Sequence, residues 1–180
     1  MFSTENLSAL YSIIGVIPFP LYFISLIICW KNTNCRYLFL ILIFVETVDT
    51  LTLKMAFNWG RYFYLWGIGM CLLFIVPILG RRLLAQSLQT RFSFFQSVLK
   101  DYHFSKQEGG LLFLYVLTGF VFFLTFVEFV LFEGAIIGDY FFKKYLFSPI
   151  LIMIFFVECF LVMSIASRFR GHSLTISETS

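Results

Sequence analysis

Charge is scarce in this chain. Of 180 residues, 13 are Lys or Arg and 10 are Asp or Glu, together 13%. A soluble domain carries about 25%, because its surface must face water. Much of this chain's surface is therefore expected to face something apolar. Histidine is scarcer still. His103 and His172 both lie outside the apolar runs and read as surface residues. That argues against membrane haem ligation and against histidine-rich diiron chemistry. Four cysteines, Cys29, Cys35, Cys71 and Cys159, form no CxxC pair, so thiol–disulfide catalysis has no support. They read as small hydrophobes in packed helices. The chain also lacks a Walker A loop, GxGxxG, HExxH and GxSxG, the short motifs of nucleotide binding, zinc hydrolysis and serine esterases. No cofactor and no metal site is expected. The net charge of +3 is too small to argue for nucleic acid.

Apolar residues are what the chain has. They make up 60% of it, with 26 Phe, and the mean hydropathy is +0.91. A spanning helix needs about 20 mostly apolar residues, and five runs qualify: 8–30, 37–58, 62–80, 111–133 and 146–167. None shows the sustained alternation of a strand barrel. Helices satisfy their own backbone hydrogen bonds, as hydrocarbon demands. The expectation is all-α: a polytopic membrane helix bundle of about five transmembrane helices, forming one domain over 1–180 with a cytoplasmic tail at 168–180. The first run lacks a basic leader and is too long for a signal peptide, so it reads as a retained span.

Lys and Arg set the orientation. Lys31, Arg36, Arg81, Arg82, Arg91, Lys100, Lys106, Arg168 and Arg170 fall on one side. Lys54, Arg61, Lys143 and Lys144 fall on the other. The N-terminus is accordingly expected outside and the C-terminus in the cytoplasm, in a bacterial inner (plasma) membrane. The partners expected are the lipid bilayer and other membrane proteins or further copies of the chain.

Residues 81–104 form the only long connection. Leu84, Leu88, Phe92, Phe95, Leu99 and Tyr102 recur at steps of three and four, which marks one helical face. The reading is a basic amphipathic helix on the inner leaflet, with Arg81, Arg82, Arg91 and Lys100 as its membrane-surface cations. It either docks a partner or anionic lipid, or simply rests at the interface. Gly109-Gly110 is expected to break the chain before the fourth span.

Acidic residues inside the apolar runs are the strongest lead. Three runs carry one tripeptide: Phe44-Val45-Glu46, Phe126-Val127-Glu128 and Phe156-Val157-Glu158. Their flanks do not align, so they do not establish a repeat. Asp49 and Thr50 follow Glu46 at i+3 and i+4, which places them on one face. A central acidic residue costs about 2.5–3.5 kcal/mol on insertion scales. It is tolerated when it faces other helices, finds a partner or takes up a proton. Two readings follow. Glu46, Asp49, Thr50, Glu128 and Glu158 line a polar site for a proton, cation or cationic substrate. Alternatively they fix the bundle by interhelical hydrogen bonds, with Thr47, Thr50, Thr125 and Ser164 as partners. Pro18-Phe19-Pro20 adds a candidate helix break midway along the first run.

The leading functional reading is a non-catalytic accessory, assembly or immunity-type protein that binds other membrane components. The alternative is a small proton- or cation-linked carrier or channel component using the carboxylates. An enzyme would need a nucleophile or phosphate-binding element beside Glu46 and Asp49, and the sequence offers none.

Overall fold

The computed structural model describes residues 17–100, 102 and 104–178, with side chains as far as 168. Among the described residues the chain is all-helical. Six α-helices follow in order: α1 (Pro18–Ile28), α2 (Thr33–Ala56), α3 (Tyr62–Leu88), α4 (Ser93–Lys100), α5 (Lys106–Glu133) and α6 (Ser148–Glu178). A 3-10 turn (Phe57–Trp59) precedes α3, and a π-helical turn (Lys143–Phe147) leads into α6. Gly60, between the 3-10 turn and α3, has φ +59°, a conformation that strains a side-chain-bearing residue.

The five longer helices close into a ring. α1 packs on α2 and on α6, α2 on α3, α3 on α5, and α5 on α6. Consecutive helices run up and down, so the ring has two ends. One holds the turn after α1, the C-terminus of α3, all of α4 and the start of α5. The other holds the 57–61 turn, the 134–142 loop and the π-helical turn.

Three segments are long and apolar enough to cross a membrane: Tyr62–Leu88, Lys106–Glu133 and Lys143–Arg168, with mean hydropathy of 2.1, 2.3 and 2.5. α2 is as long as a span, but Arg36, Glu46, Asp49 and Lys54 keep it out of that group. Only the later part of the 8–30 run lies within the described residues, as the 11-residue α1. Large apolar side chains face outward from all five ring helices, among them Ile27, Phe44, Val76, Phe113 and Phe160.

Several boundaries differ from those expected. The third run does not stop at Gly80. α3 continues for two more turns, with Pro77 inside it. The adjacent Arg81-Arg82 resembles a water-facing end, but Arg81 finds a partner inside the bundle. The 81–104 connector is therefore not one amphipathic helix. Its first part belongs to α3, and only α4, of eight residues, stands alone. The apolar face of α4 is not free to rest on a membrane. Val98 is buried against Tyr37 and Ala85, with Phe94, Phe95 and Leu99 packed around them, and Tyr37 meets both Phe rings edge-on. Gly109-Gly110 does not break the chain, because both residues sit in the first turns of α5. Gly110 faces α6, where an added Cβ would lie 3.2 Å from Leu161. Pro18 is the first residue of α1, with Pro20 two further on. Early in a helix a missing N–H donor breaks no helical bond, so within the described residues these prolines begin a helix and do not interrupt one. Whatever they do to the 8–16 stretch lies outside the described residues.

Candidate binding cavity

Two residues apart on a helix means about 200° around its axis, given 3.6 residues per turn. An FVE triplet therefore sends Phe and Glu to opposite faces. In α2 and α6 that is what happens. Phe44 and Phe156 point outward, while Glu46 and Glu158 point into the ring and line one cavity.

The cavity holds about 210 Å³. α2 contributes Glu46, Asp49 and Leu53, at steps of three and four. α3 faces them with Phe63, Trp66, Met70 and Phe74, again at helical spacing. Tyr115, Thr118 and Phe122 of α5 and Phe155 of α6 complete the walls, and Pro18 of α1 touches the space. Gly67 makes room for this arrangement. A Cβ there would meet the Phe122 ring at 2.6 Å, so α3 and α5 approach closely only because Gly67 has no side chain. Gly69, its neighbour in the sequence pattern, has nothing within 4 Å and supports no such contact.

The three carboxylates are partnered differently. Glu158 Oε1 accepts from Tyr22 Oη at 2.6 Å and from Tyr115 Oη at 2.9 Å. The two hydroxyls lie 3.3 Å apart. Tyr22 and Tyr115 come from α1 and α5, so Glu158 ties α6 to two neighbours at once. Glu46 is only 6% exposed, yet among the described residues no hydrogen bond or ion pair engages its carboxylate. The same holds for the half-buried Asp49. The three ion pairs among the described residues all lie elsewhere.

The threonines expected to cap these carboxylates do not. Thr47 and Thr125 return their hydroxyls to the carbonyls four residues back, at 2.7 and 2.8 Å. This internal bonding is always at hand for Thr on a helix. Thr50 is exposed and does not line the cavity, so it leaves the candidate site although it lies at i+4 from Glu46. Lys54 is exposed as well.

Glu128 is also not part of the cavity. Its two carboxylate oxygens accept the backbone N–H groups of Phe142 and of Lys143, the latter at 2.8 Å. It thus caps the helical segment that enters α6, where free N–H groups and the positive end of the helix dipole favour an anion.

A second polar cluster, which the sequence does not announce, sits at the α4 end. Arg81, expected on a membrane surface, is 0% exposed, as is Glu108. Arg81 Nη2 donates to Glu108 Oε2 at 2.9 Å. Arg81 Nε and Nη1 have no hydrogen-bond partner among the described residues, and the Tyr102 ring lies 5.2 Å from the guanidinium carbon. Glu108 also closes a capping box with Ser105. Ser105 Oγ accepts the Glu108 N–H at 3.2 Å, and the Ser105 N–H approaches Glu108 Oε2 at 3.4 Å. The Ser-x-x-Glu spacing at 105–108 is a readable signal for this helix start. Arg82, Arg91 and Lys100 are exposed, in keeping with a basic surface at this end.

Among the described residues no group of three or more His, Cys, Asp or Glu side chains is arranged to hold a metal ion. No family model matches the chain, and no curated protein or solved structure matches it either.

Proposed function

We propose that this chain is a membrane-embedded ring of five helices whose central carboxylates serve a small proton- or cation-linked carrier or channel component. One observation carries the reading: Glu46, buried and without a partner among the described residues, shares a cavity with Asp49 and Glu158. An unpaired buried carboxylate is costly, and inside an apolar bundle it persists where a proton or cation meets it.

The membrane setting has two supports. The first is the outward-facing apolar side chains on every ring helix, a surface that water would not tolerate in a monomer. The second is spacing. Arg61, the residue before α3, and Arg81, within it, bound one stretch of that helix, and each pairs with a glutamate of α5. Twenty residues at 1.5 Å separate them by about 30 Å, the thickness of the hydrocarbon core. Between those levels α3 carries no charged residue. On this reading α1, with the residues before it, and α2 are the two remaining spans. The α4 end is cytoplasmic on this reading, because Lys and Arg concentrate there. Taking Arg81 out of the count, since it is buried, leaves eight against four. The N-terminus is then outside and the chain sits in a bacterial inner membrane.

The test is flux. Purified full-length chain is reconstituted in liposomes holding a pH-sensitive dye, and a proton or monovalent cation gradient is imposed. The expected result is flux above empty liposomes that falls severalfold or more in Glu46→Gln and Glu158→Gln, variants that keep the shape and remove the charge. Parent flux equal to that of empty liposomes would return the chain to the accessory or assembly reading. Co-purification of a membrane partner in mild detergent would then be the next measurement.

A further inference from the structure

The cavity's walls narrow what it takes. Resting on the carrier reading, we propose that its occupant is a small protonated amine, a monovalent organic ammonium with an apolar body about the size of one ring.

Three observations converge on this chemistry. First, the carboxylates of Glu46 and Asp49 offer acceptors with no donor opposite them among the described residues. Glu46 is more than nine-tenths buried and faces the cavity. An ammonium N–H supplies the missing donor and the missing charge together. Second, the rest of the lining is largely aromatic. Phe63, Trp66, Phe74, Tyr115, Phe122 and Phe155 line the space. Trp66 is held in orientation by its Nε1–H donating to Thr52 Oγ1 at 3.2 Å, and Phe74 stacks on Tyr115 at 4.6 Å.

Third, these six rings have no arginine or lysine over them among the described residues. Seven other rings of the protein do, including Trp30, Phe94 and Tyr102. Among the described residues cations therefore meet aromatic faces at both ends of the ring, but not on these six rings, which share a cavity of about 210 Å³ with the carboxylates. Aromatic faces attract a desolvated cation.

Size and ligand type favour this occupant over its competitors. A cavity of roughly 150 Å³ takes benzene, so this one admits a single ring with a short amine arm. A bare metal ion would need a tight oxygen cage, which these carboxylates do not form. A quaternary ammonium would use the rings but leave the Glu46 and Asp49 acceptors without a hydrogen bond.

The test measures binding to the full chain in lipid nanodiscs by titration calorimetry. The probe is 2-phenylethylammonium. The controls are 2-phenylethanol (the neutral analogue, which partitions into lipid without a charge), tetraethylammonium and sodium. The expected result is saturable binding, one per chain, at least about tenfold tighter than the alcohol or tetraethylammonium, with no competition from sodium. Glu46→Gln and Asp49→Asn should each weaken it about tenfold or more, the scale of a charge-assisted hydrogen bond. Trp66→Leu should weaken it severalfold. If Glu46→Gln does not fold by circular dichroism, the half-buried Asp49 carries the test alone. Equal binding of the alcohol, tighter binding of tetraethylammonium, or unchanged affinity in folded Asp49→Asn overturns the proposal. Carboxylate-dependent flux without amine binding sinks this inference and leaves the carrier reading standing. Amine binding without flux does the reverse.

Discussion

α3 and α5 are joined by an Arg–Glu pair at each end, and the two pairs are physically opposite. Arg61 and Glu133 are 42% and 44% exposed. Arg81 and Glu108 are both fully buried. At the exposed end, water and salt screen the charges and compete for them. At the buried end, both charges have lost their water, and their pairing offsets part of that cost. The buried pair is also bound into the start of α5, because Glu108 closes the capping box with Ser105. The same residue types thus make a fixed point at the α4 end and a loose clasp at the other. The cavity lies between them. Tyr115 is seven residues from Glu108 and 18 from Glu133, about 10 Å and about 27 Å along α5. The tyrosine-capped Glu158 therefore sits toward the fixed end. On α2, Asp49 lies further toward the loose end than Glu46 does. The carboxylate held by the two tyrosines is nearer the buried pair, and Asp49, which accepts no hydrogen bond among the described residues, is nearer the exposed one.

The strongest way to break this comparison is to remove one member of the buried pair. Arg81→Ala removes the guanidinium that pairs with the buried Glu108. The expected loss is about 3–5 kcal/mol, read as a shift of the unfolding midpoint in a detergent titration. A midpoint equal to the parent's would mean that the α4 end is not anchored by this pair. The matched double variant sharpens the point. Arg81→Met with Glu108→Gln removes both charges and keeps an acceptor for the capping box. It should recover most of the stability lost by Arg81→Ala, since replacing a whole buried pair is often neutral or stabilising. A double variant as unstable as the single one would show that the guanidinium's stem and its contact with Tyr102 matter more than the charge.

A smaller effect is expected at the opposite end. Glu128→Ala deprives Phe142 and Lys143 of their acceptor. Loss of a helix cap costs about 0.5–2 kcal/mol, below the cost of the buried pair. Glu128→Gln keeps an acceptor and should lose less. If Glu128→Ala destabilised as much as Arg81→Ala, the loose end would be as firmly held as the fixed one.

Much of the helical layout was legible, because runs of some 20 apolar residues have few other solutions. The inward aim of Glu46, Asp49 and Glu158 was legible too, since spacing on a helix fixes which residues share a face. The partners were not. Tyr22 and Tyr115 lie inside apolar runs, where a Tyr reads as bulk, and only the packing of α1, α5 and α6 brings their hydroxyls to Glu158. Arg81 was misassigned because it stands beside Arg82 after a glycine, a pattern typical of a helix leaving its apolar environment. Nothing local distinguishes the buried arginine from the exposed one. The difference comes from Glu108, 27 residues away, whose capping box was readable but whose second role was not. Thr50 was misplaced by a finer effect. At i+4 it is rotated about 40° past Glu46, enough in this bundle to take it out of the cavity and onto the surface.

The smallest expected effect is at the exposed pair. Arg61→Ala removes the guanidinium that meets Glu133 and lies 5.1 Å from the Tyr62 ring. Glu133 then remains charged but hydrated, so nothing is stranded. The unfolding midpoint should match the parent's at about 0.15 M salt, where exposed pairs are largely screened. Lowering the salt should open a small gap between variant and parent, because screening weakens as the Debye length grows. The Arg81→Ala gap should barely respond to the same change, since salt does not reach a buried charge. The comparison between the two ends thus rests on salt sensitivity as well as on size. Two gaps that respond alike to salt would mean that both ends are equally wet, and the buried anchor would have to be abandoned.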